Sequence, residues 1–120
     1  MVDASLLIVG GAVLTGTGDT PAPATDVLVT GDRIEAVGPD AASLAARPER
    51  ADAVQRIDAT GLTVMPGLID AHCHITFGEP SSNDELFLHR EQSTAALVAA
   101  FNAQKLLLAG VTGFLDADCL

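Results

Sequence analysis

Basic residues are scarce in this sequence: six Lys and Arg stand against 16 Asp and Glu, a formal net charge of −10 over 120 residues. An acidic surface repels phosphate backbones and anionic headgroups, so neither nucleic acid nor a membrane is expected as a partner. Cysteine is scarce too. Cys73 and Cys119 are too few for a disulfide framework and lack the spacing of a paired-thiolate metal site, so free thiols in a reducing compartment are expected. No stretch approaches the roughly 18 consecutive apolar residues of a membrane span. The start, Met1-Val2-Asp3-Ala4-Ser5, carries no positive residue ahead of the apolar residues 6–9, so it does not read as an export signal. Nor is there an internal repeat or a low-complexity tract. These absences point to an acidic cytoplasmic protein.

What is present is largely apolar. Hydrophobic residues make up 48% of the chain and the mean hydropathy is +0.36, which argues against disorder. The value is high for so short a chain, because small domains keep much of their surface wet. One account is that part of this apolar surface meets something beyond these residues.

The first third reads as short strands divided by turn chemistry. Residues 6–9 and 12–14 are apolar or β-branched around Gly10-Gly11, and residues 16–26 form a loop rich in Gly, Thr, Pro and Ala. Residues 27–30 and 33–37 flank Gly31-Asp32, a pair suited to a two-residue hairpin turn. In the second of these strands Ile34 and Val37 are apolar while Arg33 and Glu35 are polar, so one face is expected to be wet. Residues 39–52 read as a linker with one helical turn, and residues 54–58 as a further strand.

From Pro66 the pattern changes. Residues 68–75 are strand-like, and a polar loop follows over 78–84. A helix is expected from Asn83 or Asp84 to Ala109, with Gly110 as its stop. Between residues 95 and 109 only Asn102, Gln104 and Lys105 interrupt the apolar run, so this helix is expected to be covered on most sides. Residues 111–115 form a second strand. Strand, helix and strand over roughly 45 residues make a βα unit that enters a parallel sheet.

The chemistry-bearing element is His72-Cys73-His74. Alternate strand residues share a face, so His72 and His74 project together and Cys73 away from them. Two strand steps rise about 6.6 Å, a separation that two imidazoles leaning together close onto one ion at zinc–nitrogen distances of about 2.0–2.1 Å. Asp70, two residues earlier, shares that face and is a candidate to orient a ligand histidine or to make a structural hydrogen bond. A bare His-x-His also arises by chance. The position adds weight, because metal and ligand sites in parallel α/β folds gather where strands end. His89 falls with Glu85 and Gln92 on a polar helix face and reads as a solvated residue rather than a ligand. Asp116 and Asp118 follow the second strand, where carboxylates serve as turn or cap residues more often than as ligands.

Residues 66–74, Pro-Gly-Leu-Ile-Asp-Ala-His-Cys-His, resemble the Pro-Gly-hydrophobic-hydrophobic-Asp-x-His-x-His run on the first barrel strand of the amidohydrolase superfamily. The likeness covers nearly the whole chain. Residues 26–38, a strand, a Gly-Asp turn and Arg-Ile-x-x-Val-Gly, look like part of the small β-sandwich that precedes the barrel. Residues 109–112 resemble the lead-in to the second barrel strand. There the imidazolonepropionase-like and prolidase-like branches read Gly-Val-Thr-Thr-hydrophobic-Arg-Asp. Here Gly113 replaces the second Thr and Leu115 the Arg, while Asp116 matches.

The resemblance implies an α/β fold. Residues 1–63 would be an incomplete sandwich segment, and residues 64–120 the first strand, helix and second strand of a TIM-like (β/α)₈ barrel. It implies a metal-dependent hydrolase that cleaves amide or other C–N bonds of a small-molecule substrate through a metal-activated water. His72 and His74 would be metal ligands, Asp70 their support, and the loop from Phe77 to Asp84, Gly78 and Glu79 included, the substrate contact. The cofactor implied is a divalent metal, zinc, as one or two ions. The family's remaining ligands and its catalytic aspartate have no counterpart in these residues, so no catalytic residue is assigned within the chain. A complete barrel takes about 250 residues. The isolated chain is accordingly expected to be inactive and to form oligomers or aggregates. The alternative is a non-catalytic fragment or pseudo-enzyme that persists by association.

Overall fold

The computed structural model describes residues 4–18, 20–50, 53–78 and 80–117. The chain divides into two compact units, residues 1–66 and 67–120. The division falls after Pro66, later than the expected 63/64 boundary. The reason is hydrogen bonding: Thr63–Val64 adds to the first unit's sheet through the pairs Ala12↔Thr63 and Val13↔Val64.

The first unit is a mixed sheet built on one central strand. Strand β1 (Ser5–Val13) pairs antiparallel with β2 (Ala22–Thr30), and β2 pairs antiparallel with β3 (Arg33–Val37). On its other side β1 runs parallel to β4 (Val54–Asp58) and to the short β5 (Thr63–Val64). Gly10-Gly11 does not split β1 as the sequence indicated. The ladder absorbs them as a register shift on either side of Gly11, and Asp26 Oδ1 accepts the Gly10 N–H at 2.9 Å. Strand β2 likewise begins at Ala22, inside the segment expected to be loop, with a further irregularity where Pro23 and Ala24 interrupt regular pairing.

Within residues 39–52, expected to be a linker with one helical turn, the helical part is the seven-residue α1 (Pro39–Ala45). Proline suits the first helical turn because its missing N–H would have no partner there. Ala41 and Ala45, one helical turn apart, bury their methyl groups against Leu7 and Leu28, and Val9, Ala36, Leu44 and Val54 pack around this cluster. After α1, Arg50 donates to Glu35 Oε2 at 2.6 Å, and the Thr30 hydroxyl donates to the same oxygen at 2.6 Å. The Arg50 bond holds the Glu35 carboxyl below its ordinary range.

The opposite sheet face has no helix on it among the described residues. A register shift between Leu28 and Val29 turns Ala36 toward α1 and leaves Ile34 and Val37 on the far side. There, with Ile8, Val27, Val29 and Val64, they line an apolar depression of about 310 Å³. Arg33 and Glu35 are exposed as expected, and Ile34 and Val37 are exposed too.

The second unit is a strand–helix–strand unit with parallel strands, as its spacing predicts. Strand β6 (Leu68–Cys73) pairs parallel with β7 (Val111–Asp116), and helix α2 (Gln92–Leu108) connects them. Gly67 has to be glycine, because a Cβ there would overlap the Thr112 side chain. Helix α2 is shorter than expected. Glu85–His89 forms a separate π-helical turn, and Arg90 and Glu91 are extended, with ψ of 122° and 136°. Ala95 is buried, while Leu97, Phe101, Leu107 and Leu108 stand more than half exposed, so the cover expected for this helix is not supplied by the described residues. No helix among them is long and apolar enough to cross a membrane.

Leu28 is fully buried and Ile34 is 68% exposed. Leu28→Ala is therefore expected to destabilise the first unit by about 2–5 kcal/mol. Ile34→Ala should change it by less than about 0.5 kcal/mol. Urea unfolding followed by circular dichroism checks the difference.

Candidate metal centre

Strand β6 delivers the two histidines to its C-terminal end. The ladder to β7 is regular at Asp70↔Phe114 and resumes at Cys73↔Asp116, which puts an extra residue in β6 between those pairs. This bulge has a local cause. Asp70 Oδ1 accepts the His72 backbone N–H at 3.1 Å, the side-chain-to-backbone turn that Asp makes two residues ahead of itself. Asp70 therefore holds the backbone of His72.

The two imidazoles meet. Their ring centroids lie 5.1 Å apart and their planes cross at 81°. His72 is exposed and His74 is partly buried. His74 stacks on Phe77 with centroids 4.5 Å apart and planes 13° from parallel, and Phe77 meets the edge of Phe87 at 5.6 Å. His74 Nδ1 is buried and has no hydrogen-bond partner among the described residues. A buried polar nitrogen without a partner is costly, and a bound cation is one way to satisfy it.

Those two nitrogen donors fit a divalent metal such as zinc, which takes imidazole readily. Two donors alone fall short of a complete ligand set. Among the described residues no three His, Cys, Asp or Glu side chains gather to hold an ion, whereas a structural zinc site uses four protein ligands and a catalytic one three. Cys73 has its thiol pushed above the ordinary value by burial and by the Asp70 and Asp116 carboxylates, which disfavours the thiolate a metal would need. His89 ends the π-helical turn and is exposed. Asp116 ends β7 opposite Cys73. Asp118, Cys119 and Glu79 lie outside the described residues.

The loop behind His74 is held by side chains whose role the sequence did not disclose. Arg90 grips both carboxylate oxygens of Glu85 at 2.9 Å and donates to the carbonyls of Thr76 (2.9 Å) and Gly78 (3.4 Å). Only 6% of its side chain is exposed. This takes Glu85 off the solvated helix face on which it was expected, and it explains the break before α2: Arg90 leaves the helical path to reach those acceptors. Asn102, from within α2, donates to the carbonyls of Ile75 (2.9 Å) and Phe77 (3.1 Å). The sequence offered only a weak signal for it, a polar interruption of an apolar run shared with Gln104 and Lys105. Gly78 sits where a Cβ would meet Val98 Cγ1 at 2.6 Å, so its lack of a side chain lets the loop close on the helix.

No protein-family model matches the chain. Among curated proteins it is similar to the allantoinase of Enterococcus faecalis, 44% identical over 75 residues that cover 62% of this chain and 14% of that protein. It is also similar to the adenine deaminase of Rubrobacter xylanophilus, 32% identical over 114 residues, 95% of this chain and 15% of the deaminase. Among solved structures it resembles molinate hydrolase, with 28% identity, a TM-score of 0.69, and cover of 95% of this chain and 24% of the other. A prolidase complexed with N-methylphosphonate-L-proline matches with 27% identity and a TM-score of 0.70, covering 92% of this chain and 25% of the prolidase. The chain thus spans about one-seventh of the length of these curated relatives.

The Arg90 guanidinium holds the Glu85 carboxyl below the ordinary carboxylate range. A depressed folded-state value means that the pair stabilises the fold above the unfolded-chain value and is lost as pH falls through the lower folded one. Glu85→Gln should therefore lower the thermal midpoint at neutral pH. The gap to wild type should close on acidification through that window, and melting curves across pH check this.

Proposed function

We propose that this chain, a member of the amidohydrolase superfamily, contributes the first two metal ligands of a hydrolase acting on C–N bonds of small molecules. The observation that carries this reading is the convergence of the His72 and His74 rings at the end of a parallel strand, with His74 Nδ1 buried and unpartnered among the described residues. A bound divalent metal, zinc by the chemistry of the donors, would supply Lewis acidity and an activated water. The chain's own residues hold its nitrogen donors. Asp70 fixes the backbone of His72, and the Phe77–Gly78 loop fixes the position of His74 and borders the substrate side.

In this reading residues 67–120 are the opening strand, helix and second strand of a (β/α)₈ barrel. The sheet of the first unit is one layer of a sandwich, and its apolar depression is covered by a second layer. Activity belongs to the whole enzyme, with its remaining ligands and a proton-shuttling carboxylate.

A second reading, association without catalysis, is favoured for the isolated chain by its apolar surface. Ile69 is 77%, Leu97 73% and Leu108 82% exposed, and β6 and β7 form a two-stranded sheet with both outer edges unpaired among the described residues. Open edges and apolar patches recruit other chains. Charge repulsion at −10 is screened beyond about 8 Å at physiological salt.

Metal analysis of the whole enzyme tests the first reading. His72→Ala and His74→Ala should each remove most of the bound metal and reduce kcat/KM by more than about 100-fold, while His89→Ala should leave both nearly intact. Equal damage from His89→Ala would count against this ligand set. For the isolated chain, light scattering coupled to size exclusion should show oligomers and no C–N hydrolysis. A sharp monomer peak at 12.3 kDa with a cooperative melt would overturn the second reading.

A further inference from the structure

His74 lies one residue beyond the end of β6, so the sheet ladder does not set the orientation of its ring. The segment that follows has no ladder either, yet five consecutive carbonyls, those of residues 74 to 78, all accept hydrogen bonds. The Phe77 N–H takes the first at 3.1 Å, Asn102 takes those of Ile75 and Phe77, and Arg90 takes those of Thr76 and Gly78. Phe77 is thus tied at both backbone groups. Its ring is wedged between the His74 face, 4.5 Å away, and Phe87 at 5.6 Å.

We infer that Phe77, braced by Asn102, is a positioning residue for the metal ligand His74. This rests on the reading of His72 and His74 as ligands. A histidine after a strand end has two free side-chain torsions, and ordering them on metal binding costs affinity. Stacking on a ring that is itself immobile removes much of that cost in advance. The brace needs an amide. Both N–H bonds of Asn102 Nδ2 point at carbonyl oxygens, so an aspartate there would set acceptor against acceptor. It also needs an aromatic face at 77, since an aliphatic side chain of similar volume fills space without fixing the plane of the neighbouring imidazole.

The test uses the whole protein stripped of metal. Zn²⁺ affinity is read by competition with a chromophoric chelator, and ligand geometry by the visible spectrum of the Co²⁺ form. Phe77→Leu should weaken affinity about 10-fold or more and alter the Co²⁺ spectrum. Phe77→Tyr, which keeps the ring face, should restore both. Asn102→Asp should behave as Phe77→Leu does, and if it fails to fold, the Leu and Tyr pair at 77 decides alone. His74→Ala separates the two levels of the argument. Unchanged affinity in that variant would overturn the ligand reading and the positioning role with it. Loss of binding in His74→Ala together with wild-type affinity and spectrum in Phe77→Leu would overturn the positioning role alone.

Discussion

Between the end of β6 and the start of α2 the backbone has to turn through residues that belong to no ladder, and its partly buried carbonyls need donors. Arg90 and Asn102 provide them, two acceptors each. Much of the second unit follows from this requirement. Arg90 reaches the loop only by leaving the helical path, so the chain makes a π-helical turn, extends over two residues and then restarts as α2. Glu85 is drawn in to balance the guanidinium, which with 6% of its side chain exposed would otherwise be a nearly buried lone charge. The loop lies close enough to α2 that position 78 has no room for a side chain beside Val98.

The first unit solves a different problem with smaller means. Its sheet buries one face against a seven-residue helix, and alanine is what allows so short an element to lie close. The other face is equally apolar and lies open among the described residues. An apolar sheet face that is left bare in water contributes nothing to folding. Among the described residues Ile34 and Val37 are the parts of this face left most open to solvent, while Val13 and Val27 are buried within it.

Much of the arrangement around the histidines was legible in the sequence, because it depends on local rules. The strand carrying His72, the 31–32 hairpin and the helix end at Gly110 follow from such rules. The approach of the two imidazoles comes instead across a bulge and a strand end that period-two geometry does not describe. The parts that were not legible depend on distant partners. Arginine is a good helix former, so nothing local at position 90 announces a break, whose cause is a pair of carbonyls more than ten residues earlier in the chain. Asp70 was open to two roles, orienting a histidine ring or making a structural hydrogen bond, and it takes the second, on the His72 backbone N–H, a choice that side-chain type alone does not make. Proline and glycine over residues 16–26 indicated a loop, yet the pull of β1 extends β2 back to Ala22 across Pro23.

The close approach of Gly67 to Thr112 makes two residues far apart in the chain share a single volume. Neither position is free to vary by itself: any side chain gained at 67 has to be matched by atoms lost at 112. Such a pair behaves as one heritable unit. A two-step substitution passing through an overfilled intermediate would be slow to accumulate, whereas trimming Thr112 first opens the way. The glycine that leads into the histidine strand thus answers a steric demand of the neighbouring strand, separate from any chemistry at the histidines.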